Sequence, residues 1–162
     1  MTKKRAKLSH VAPDGAARMV DVSAKADTVR TARARGTIRM SMDAFEAIRS
    51  HQIAKGDVLS IARLAGVMAA KRTAELIPLC HPLLLEDVQV DLVADAGLPG
   101  VTAESQARTT GRTGVEMEAI VAVTVALVTV YDMAKSADRG MVISDISLIE
   151  KTGGSSGTYR NR

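Results

Sequence analysis

One short stretch of the sequence holds the side chains best able to do chemistry. It runs from Leu76 to Pro82. Within it, Leu79 is followed by Cys80, which is the only cysteine of the chain, and by His81, which is one of three histidines. Proline fixes its own φ and biases the preceding residue away from helix, so a segment with prolines at positions 78 and 82 is stiff. An imidazole on such a segment can be aimed at a ligand. The alternative is a buried cysteine and a hydrogen-bonded histidine in an apolar turn, and the stretch alone leaves both open.

A second candidate is an acid with an amine, Asp132 and Lys135, at the end of a long apolar segment. Residues three positions apart share one face of a helix. A carboxylate beside an amine is suited to proton transfer, and partial burial against apolar side chains perturbs acid–base groups. The alternative is an ordinary helical ion pair, which contributes only about a few tenths of a kcal/mol.

Two further acids, Glu116 and Glu118, flank Met117 at the start of the same apolar segment. Two positions apart, they point to different faces of a helix. Carboxylates stabilise the amino-terminal end of a helix, so the helix dipole is a sufficient alternative reason for their presence.

Several basic residues could contact an anionic ligand. Lys55 precedes a turn and a predicted helix, where a lysine and free backbone N–H groups can bind an anion together. Lys71 ends that helix, and Arg30 belongs to a basic stripe with Arg33 and Arg35. For each of them, a solvated surface position is the ordinary alternative.

Composition narrows the class of protein. The chain has 162 residues, of which 46% are apolar, 25% charged and 2% aromatic. This mixture is typical of one globular domain whose core consists of aliphatic side chains. A single cysteine excludes an internal disulfide, fits a reducing cytoplasm and excludes a paired-cysteine metal site. The three histidines have no metal-ligand spacing, so neither a metal nor a cofactor is expected.

Charge and hydropathy bear on the partners. The net charge of +4 suggests an anionic partner, which could be nucleic acid or a phosphorylated metabolite. No apolar core of a signal peptide follows the basic amino terminus. The longest uncharged run, 119–131, is too short to span a bilayer and favours a buried helix, so we expect no membrane association.

Hydrophobic periodicity and turn residues predict the order of the elements. Ser41 and Asp57 are good amino-terminal caps for two of the helices. The predicted elements are a strand at 37–40, helices at 42–50 and 58–73, strands at 87–94 and 101–108, a helix at 115–135 and a strand at 141–151. This is an α+β fold with the ferredoxin-like order β-α-β-β-α-β plus a short extra helix, in which helices cover one face of an antiparallel sheet.

The same pattern predicts the domain organisation. We expect residues 1–18 to form a mobile arm, residues 19–157 a single domain and residues 158–162 a tail. The long helix is apolar nearly all round from 120 to 130, and one sheet face cannot cover it, so we expect a second subunit to pack there. A basic ferredoxin-like RNA-binding module is the rival interpretation, but it would need surface aromatics that this sequence nearly lacks.

Four blocks of the chain together resemble the cyclic pyranopterin monophosphate synthase family, also called molybdenum cofactor biosynthesis protein C. They lie at residues 19–25, 55–58, 70–83 and 113–135. The resemblance implies a ferredoxin-like lyase. It would convert 3′,8-cyclo-7,8-dihydroguanosine 5′-triphosphate into cyclic pyranopterin monophosphate and release diphosphate, in the second step of molybdenum cofactor synthesis. It also implies a homohexamer, built as a trimer of dimers, with the active site at a dimer interface.

The resemblance further implies residue roles. Asp132, Lys135 and Lys55 match the catalytic positions of the family. The substrate-binding segments match Leu79, Cys80 and His81, and Met117 with Glu118. We expect Glu116 to help to hold the ring, and Arg30 and Lys71 to contact the triphosphate. One departure is Ser155 in the glycine-rich tail, where many family members have a basic residue.

Overall fold

The computed structural model describes residues 16–155 and 157–161 of the chain. The strands form one antiparallel sheet in the order β2-β3-β1-β4-β5. Helices pack against one face of this sheet, so the predicted α+β, ferredoxin-like fold is confirmed. The elements are β1 Thr28–Arg39, α1 Met42–Arg49, α2 Val58–Ala70, α3 Thr73–Leu76, β2 Asp87–Asp95, β3 Gly100–Gly111, α4 Glu116–Ala134, β4 Val142–Thr152 and β5 Tyr159–Arg160.

Local sequence signals determine where the helices begin. The Ser41 side chain accepts a hydrogen bond from the backbone N–H of Ala44 and caps α1. The Asp57 carboxylate accepts from the N–H groups of Leu59 and Ser60 and caps α2. Both predicted caps are therefore confirmed, and the second fixes the turn that carries Lys55.

Strand β1 is much longer than predicted, because it begins at Thr28 rather than at residue 37. Alanines 32 and 34 are buried against the helices, whereas arginines alternate with them on the opposite face. Alanine has a low preference for strands, so this half of the strand carries only a weak sequence signal. Its consequence is that Arg30 lies within the sheet.

The two long helices approach each other closely. A Cβ atom on Gly66 of α2 would lie 2.8 Å from the carbonyl oxygen of Ala122 in α4. The missing side chain of Gly66 therefore allows α2 to pack closely against α4. Helix α2 ends at Ala70, before the separate short helix α3. The helix predicted over 58–73 therefore ends three residues earlier than predicted, and a separate short helix begins at Thr73.

The carboxyl-terminal end of the chain adds a short strand to the sheet. Of the predicted arm, residues 1–15 lie outside the described residues. At the other end, Tyr159 and Arg160 pair with Lys151 and Glu150 at the edge of the sheet, and Arg160 forms an ion pair of 3.0 Å with Glu150. The segment predicted as a tail therefore contributes a short strand.

Helix α4 is the core helix of the domain. It is long and apolar enough to cross a membrane by composition alone, but more than half of its apolar stretch is buried within the described structure. Val128 remains half-exposed on its outer side. On α2, the apolar side chains of Ile61, Leu64 and Met68 are also exposed at a spacing that places them on one face.

Candidate active site

A cavity of about 430 Å³ lies at the amino-terminal end of α4. This volume is within the usual range of small-molecule sites. The cavity brings together the two segments that the sequence assigned to substrate binding, together with residues that precede β1. This cavity is here called the main cavity. The residues that line it are Val20, Val22, Lys25, Leu79, Cys80, His81, Leu83, Thr113, Gly114, Glu116, Met117 and Glu118.

His81 is fixed in the wall of the main cavity by a hydrogen bond. Its Nε2–H donates to the carbonyl oxygen of Val20 at 2.7 Å. A carbonyl can only accept, so the bond assigns the proton to Nε2. The proline-bracketed segment and the chain before β1 therefore hold the ring together, and Nδ1 is not used by this bond.

Glu118 is the acid enclosed by the main cavity. Only 4% of the residue is exposed, and its Oε2 atom has no hydrogen-bond partner among the described residues. Burial raises the pKa of Glu118 to about 7, and the nearby Glu116 carboxylate adds to the increase. Burial, followed by the charge of Glu118, also raises the pKa of the Cys80 thiol. Glu118 can thus exchange a proton near neutral pH.

Glu116 has a different environment, although it lies only two residues away. Its Oε1 accepts a hydrogen bond from Nζ of Lys151 at 2.7 Å. The carboxylate folds back over Gly114, where a Cβ atom would overlap with it. One acid of the pair is therefore held by a cation and the other is not.

At the opposite end of α4, Asp132 binds two lysines. Lys135 Nζ donates to Oδ1 at 2.7 Å, and Lys55 Nζ donates to Oδ2 at 2.8 Å. Lys55 also donates to the backbone carbonyl of Asp132 at 2.9 Å. All three side chains are about half-exposed. The predicted helical pair of Asp132 and Lys135 is confirmed, and Lys55 and Asp132 meet within one chain.

The two lysines determine the charge state of Asp132. The hydrogen bonds from Lys135 and then Lys55, supported by their charges, lower the pKa of Asp132 to about 2. Asp132 is therefore ionised at neutral pH, and it orients amines rather than donating a proton. This Lys-Asp-Lys cluster lines a cavity of about 370 Å³ with Ser136 and Arg139.

One chain does not bring the cluster and the main cavity together. Glu118 and Asp132 lie on the same helix, and at about 1.5 Å per residue they are separated by about 21 Å along its axis. His81 lines the main cavity, whereas Lys135 lines the cavity at the other end of α4. The two sets of predicted site residues form two regions with separate openings in the described chain.

A third cavity, of about 170 Å³, adjoins the main cavity. It contains Arg30, whose guanidinium donates to the carbonyl oxygens of Gly111 and Arg112 at 2.8 and 3.2 Å. Lys71 caps the carboxyl end of α2 and lines neither the main cavity nor this adjoining cavity. Its predicted contact with the triphosphate therefore has no support from a cavity.

Sequence reasoning did not select several residues that line these cavities. Lys25, Arg112 and Lys151 are the charged members. Lys25 belongs to a block that carries the family resemblance, so a signal for it existed. Arg112 and Lys151 reach the site only through strand pairing.

The fold and its cavities define a class of protein: an α+β protein of ferredoxin-like topology with an enclosed acid at one end of its core helix and an exposed Lys-Asp-Lys cluster at the other. The chain belongs to the MoaC family, whose model matches residues 19–154. It is 59% identical to the cyclic pyranopterin monophosphate synthase of Heliobacterium modesticaldum over 152 residues, which are 94% of this chain and 96% of the relative.

Two other relatives are similar to the same degree. The proteins of Methylobacterium nodulans and Novosphingobium aromaticivorans, both named cyclic pyranopterin monophosphate synthase, are each 59% identical to this chain. The matches cover 94% of this chain in both cases, and 95% and 96% of the relatives.

Proposed function

We propose that this protein is a lyase of molybdenum cofactor biosynthesis, which converts 3′,8-cyclo-7,8-dihydroguanosine 5′-triphosphate into cyclic pyranopterin monophosphate and diphosphate. The near full-length similarity to proteins that bear the synthase name supports this activity. The observation that carries it is the Lys-Asp-Lys cluster, because the catalytic positions implied by the family, scattered over 80 residues, meet around one carboxylate.

The main cavity is proposed to hold the guanine-derived ring. The ring presents N–H groups along one edge, and a carboxylate is the natural acceptor for them. Glu118 has an unpartnered oxygen inside the cavity and is the first candidate for this contact. Glu116 and His81 line the same space, and Leu79, Cys80 and Met117 supply its apolar surface.

The cluster is proposed to carry the proton transfers. Opening and re-closing the purine-derived ring requires protons to be moved several times, and lysines positioned by a carboxylate can do so. In the final displacement, a sugar hydroxyl oxygen attacks the α-phosphorus, and the bond from that phosphorus to the bridging oxygen breaks. A lysine that has already given its proton to the ring in the preceding steps is neutral, so it accepts the hydroxyl proton as diphosphate leaves.

These assignments require a site that is shared between two copies of the chain. The main cavity and the cluster are about 21 Å apart along α4, which is further than a lysine side chain can extend. A two-fold axis makes each copy present the same surface to the other. If α2 and α4 of one copy pack antiparallel on those of the second, the cluster of each copy lies next to the main cavity of the other.

The exposed apolar face of the helical layer is the proposed surface for the second copy. It consists of Ile61, Leu64 and Met68 on α2 and Val128 on α4. Lys55 precedes α2, and the chain that follows α2 leads to His81, so this face extends between the two regions of the site. A hexamer built from three such dimers and a cytoplasmic location, as the resemblance implies, belong to the same proposal.

An RNA-binding role is less consistent with the sheet. Strands β1 to β4 carry no Phe, Tyr or Trp, so their open face offers nothing on which bases could stack. That face also carries acids, such as Glu104, which forms an ion pair with Arg33. Acids on a binding face would repel phosphates.

Turnover by a variant of the cluster tests the proposed function. Wild-type protein is incubated with the cyclic triphosphate, and the pterin product and diphosphate are quantified. Because Lys135 is assigned to proton transfer, we expect Lys135→Ala to lower kcat by about 10³-fold and to leave substrate affinity nearly unchanged. Arg49→Gln removes an exposed charge that is paired with Glu46 and does not line the cavity of the cluster, so it serves as the control. Equal turnover by wild type and Lys135→Ala would remove the assigned role, and no turnover by wild type would remove the function.

A further inference from the structure

The cavity at the carboxyl-terminal end of α4 is lined by a cation that the proposed proton transfers do not use. Arg139 lies in the turn that follows the helix and is exposed. It lines the cavity of about 370 Å³ together with Ser136 and the three residues of the Lys-Asp-Lys cluster. A ligand that reaches the cluster therefore also reaches Arg139.

Arg139 has no acidic partner within the part of the chain that the structure describes. Lys55 and Lys135 both donate to the carboxylate of Asp132. The Arg139 guanidinium forms neither an ion pair nor a side-chain hydrogen bond with any described residue. The lining of the cavity thus combines three cations with one carboxylate, and its positive charge suits an anionic group of a ligand.

Hydrogen bonds hold the turn that carries Arg139. The Asp138 carboxylate accepts from the backbone N–H of Ser41 at 2.7 Å and from that of Gly140 at 2.7 Å. These bonds lower the pKa of Asp138, so the carboxylate is ionised at neutral pH. The Tyr131 hydroxyl donates to the carbonyl oxygen of Arg139 at 3.1 Å. The backbone is therefore held at Arg139 and on both sides of it.

Ending helix α4 does not require these contacts. The backbone N–H groups of Ala137 and Asp138 already bond to the carbonyl oxygen of Ala134 and close the last turn. The Asp138 carboxylate acts beyond that point, on the part of the turn that carries Arg139. Fixing an exposed turn costs conformational entropy, and side chains that bind ligands commonly lie on loops that a rigid scaffold holds.

We propose that Arg139 binds the α-phosphoryl group of the substrate during the final displacement, and that Asp138 is the residue that positions it. The inference rests on the proposed function and adds a residue to it. The cluster is assigned to accept the proton of the attacking hydroxyl, so the α-phosphorus lies next to the cavity that Arg139 lines.

The charges of the displacement explain why an arginine suits this place. The bond from the sugar oxygen to the α-phosphorus forms as the bond to the bridging oxygen breaks. The hydroxyl proton passes to a neutral lysine of the cluster, and the electron pair of the broken bond leaves with diphosphate. A guanidinium donates two parallel N–H groups to two phosphoryl oxygens, which an ammonium group does not. Arg139 thus stabilises the reacting group and exchanges no proton.

Quenched single-turnover reactions test the assignment, because they follow consumption of the cyclic triphosphate and release of diphosphate separately. We expect Arg139→Gln to slow diphosphate release by about 10²-fold, as loss of one donor to a developing negative charge does. Substrate consumption should change little, so a ring-rearranged compound that still carries three phosphates accumulates. Arg139→Lys keeps the charge without the paired donors and should recover part of the rate.

Arg49→Gln is the control, because Arg49 is paired with Glu46 and does not line this cavity. It should release diphosphate at the wild-type rate. Diphosphate release by Arg139→Gln at the wild-type rate would overturn the proposal. Equal slowing of consumption and release would also overturn it, because Arg139 would then support the whole site rather than the displacement.

A double-mutant cycle tests the positioning role of Asp138. Because Asp138→Ala releases the turn, we expect diphosphate release to slow by about tenfold. In the Arg139→Gln background, the same change should cost less than about twofold more, since the residue that Asp138 positions is already lost. Asp138→Asn keeps one acceptor oxygen and should recover part of the rate. A tenfold loss in both backgrounds would contradict positioning through Arg139.

Asp95→Ala is the matched control for Asp138→Ala. The Asp95 carboxylate accepts from the backbone N–H of Gly97 at 2.9 Å, in the turn between β2 and β3, and does not line the cavity of the cluster. We expect this variant to release diphosphate at the wild-type rate. Slowing equal to that of Asp138→Ala would show that any loosened turn has this effect and would overturn the positioning role.

The wild-type reaction separates this proposal from the function. If wild type forms product and Arg139→Gln releases diphosphate equally fast, only the assignment of Arg139 fails. If wild type consumes no cyclic triphosphate, the proposed function fails, and the displacement assigned to Arg139 fails with it.

Discussion

The two ends of helix α4 carry acids in opposite electrostatic conditions. At the amino-terminal end, Glu118 is enclosed, has an oxygen without a partner among the described residues, and has a pKa of about 7. At the carboxyl-terminal end, Asp132 is half-exposed, holds Lys55 and Lys135, and has a pKa of about 2. The same helix thus presents an acid that can exchange a proton and an acid that stays ionised.

This difference assigns different work to each end. An enclosed acid without a partner suits recognition of a ligand that supplies the missing donors. The exposed cluster, in which both oxygens of the Asp132 carboxylate accept hydrogen bonds, is assembled but open to water. Electrostatic catalysis is most effective where water is excluded. The amino-terminal end therefore has an enclosed pocket, and the carboxyl-terminal end has the assembled lysines. A second copy of the chain that covers the cluster would bring a pocket and a cluster together in one enclosed site.

The largest expected effect comes from breaking the face between the two ends. Leu64→Glu places a charge in the middle of the exposed apolar face of α2, where a partner copy would have to bury it. We expect the variant to be monomeric and to lose at least about 100-fold in turnover, while its circular dichroism spectrum stays that of the folded protein. The control is Glu75→Gln, which changes an exposed charge on the short helix α3. Arg63 on α2 is not used as a control, because its side chain donates a hydrogen bond to the carbonyl oxygen of Val90. A fully active monomer would contradict the shared site.

The next effect concerns the enclosed acid. Since the folded pKa of Glu118 is above its ordinary value, the folded chain holds that proton more tightly than the unfolded chain does. The resulting stability is fully present below about pH 4.5 and is lost as pH rises through about 7. Relative to Glu118→Gln, we expect the free energy of unfolding of wild type to fall by about 3 kcal/mol between pH 4.5 and pH 8.5.

Denaturant titrations across this pH range measure the difference. Glu116→Gln is the matched control, because Glu116 lies two residues away and is paired with Lys151. It should retain the pH dependence of wild type. Parallel curves for wild type and Glu118→Gln would show that Glu118 is not the enclosed acid described above.

The smallest effect concerns the packing that keeps the two ends at a fixed distance. Gly66→Ala would place a Cβ atom 2.8 Å from the carbonyl oxygen of Ala122 and push α2 away from α4. Overpacking costs about 1–3 kcal/mol, and the better helix preference of alanine offsets up to about 1 kcal/mol. We therefore expect thermal unfolding to show a net loss of about 1–2 kcal/mol. Gly97→Ala, in a surface turn, should cost less, and a stabilised Gly66→Ala would show that the helices do not touch there.

Local signals predicted much of the fold and part of the site. The caps at Ser41 and Asp57, the alternation of β2 and β3 and the length of α4 were all readable because neighbouring residues determine them. The same holds for Asp132 and Lys135, whose ion pair follows from helical spacing. The resemblance to a known family supplied the grouping of His81 with Glu118, which spacing alone does not give.

The positions of Arg30 and Lys151 at the cavity were not predictable, because they depend on how strands that are distant in the sequence pair. Arg30 reaches the carbonyls of Gly111 and Arg112 because Thr28 pairs with Gly111 at the ends of β1 and β3. Lys151 enters the same cavity because β4 pairs with β1. Register between strands is determined by the whole sheet, and here the alanines and arginines of β1 obscured even its length.

Subunit mixing tests most directly whether the two ends of α4 form one site across two copies. His81→Ala damages the main cavity and Lys135→Ala damages the cluster, so each variant alone should be inactive. If every site takes its cavity from one copy and its cluster from another, random mixing of equal amounts restores about a quarter of the wild-type activity. Mixed assemblies, verified by native mass spectrometry, that stay inactive would contradict the account.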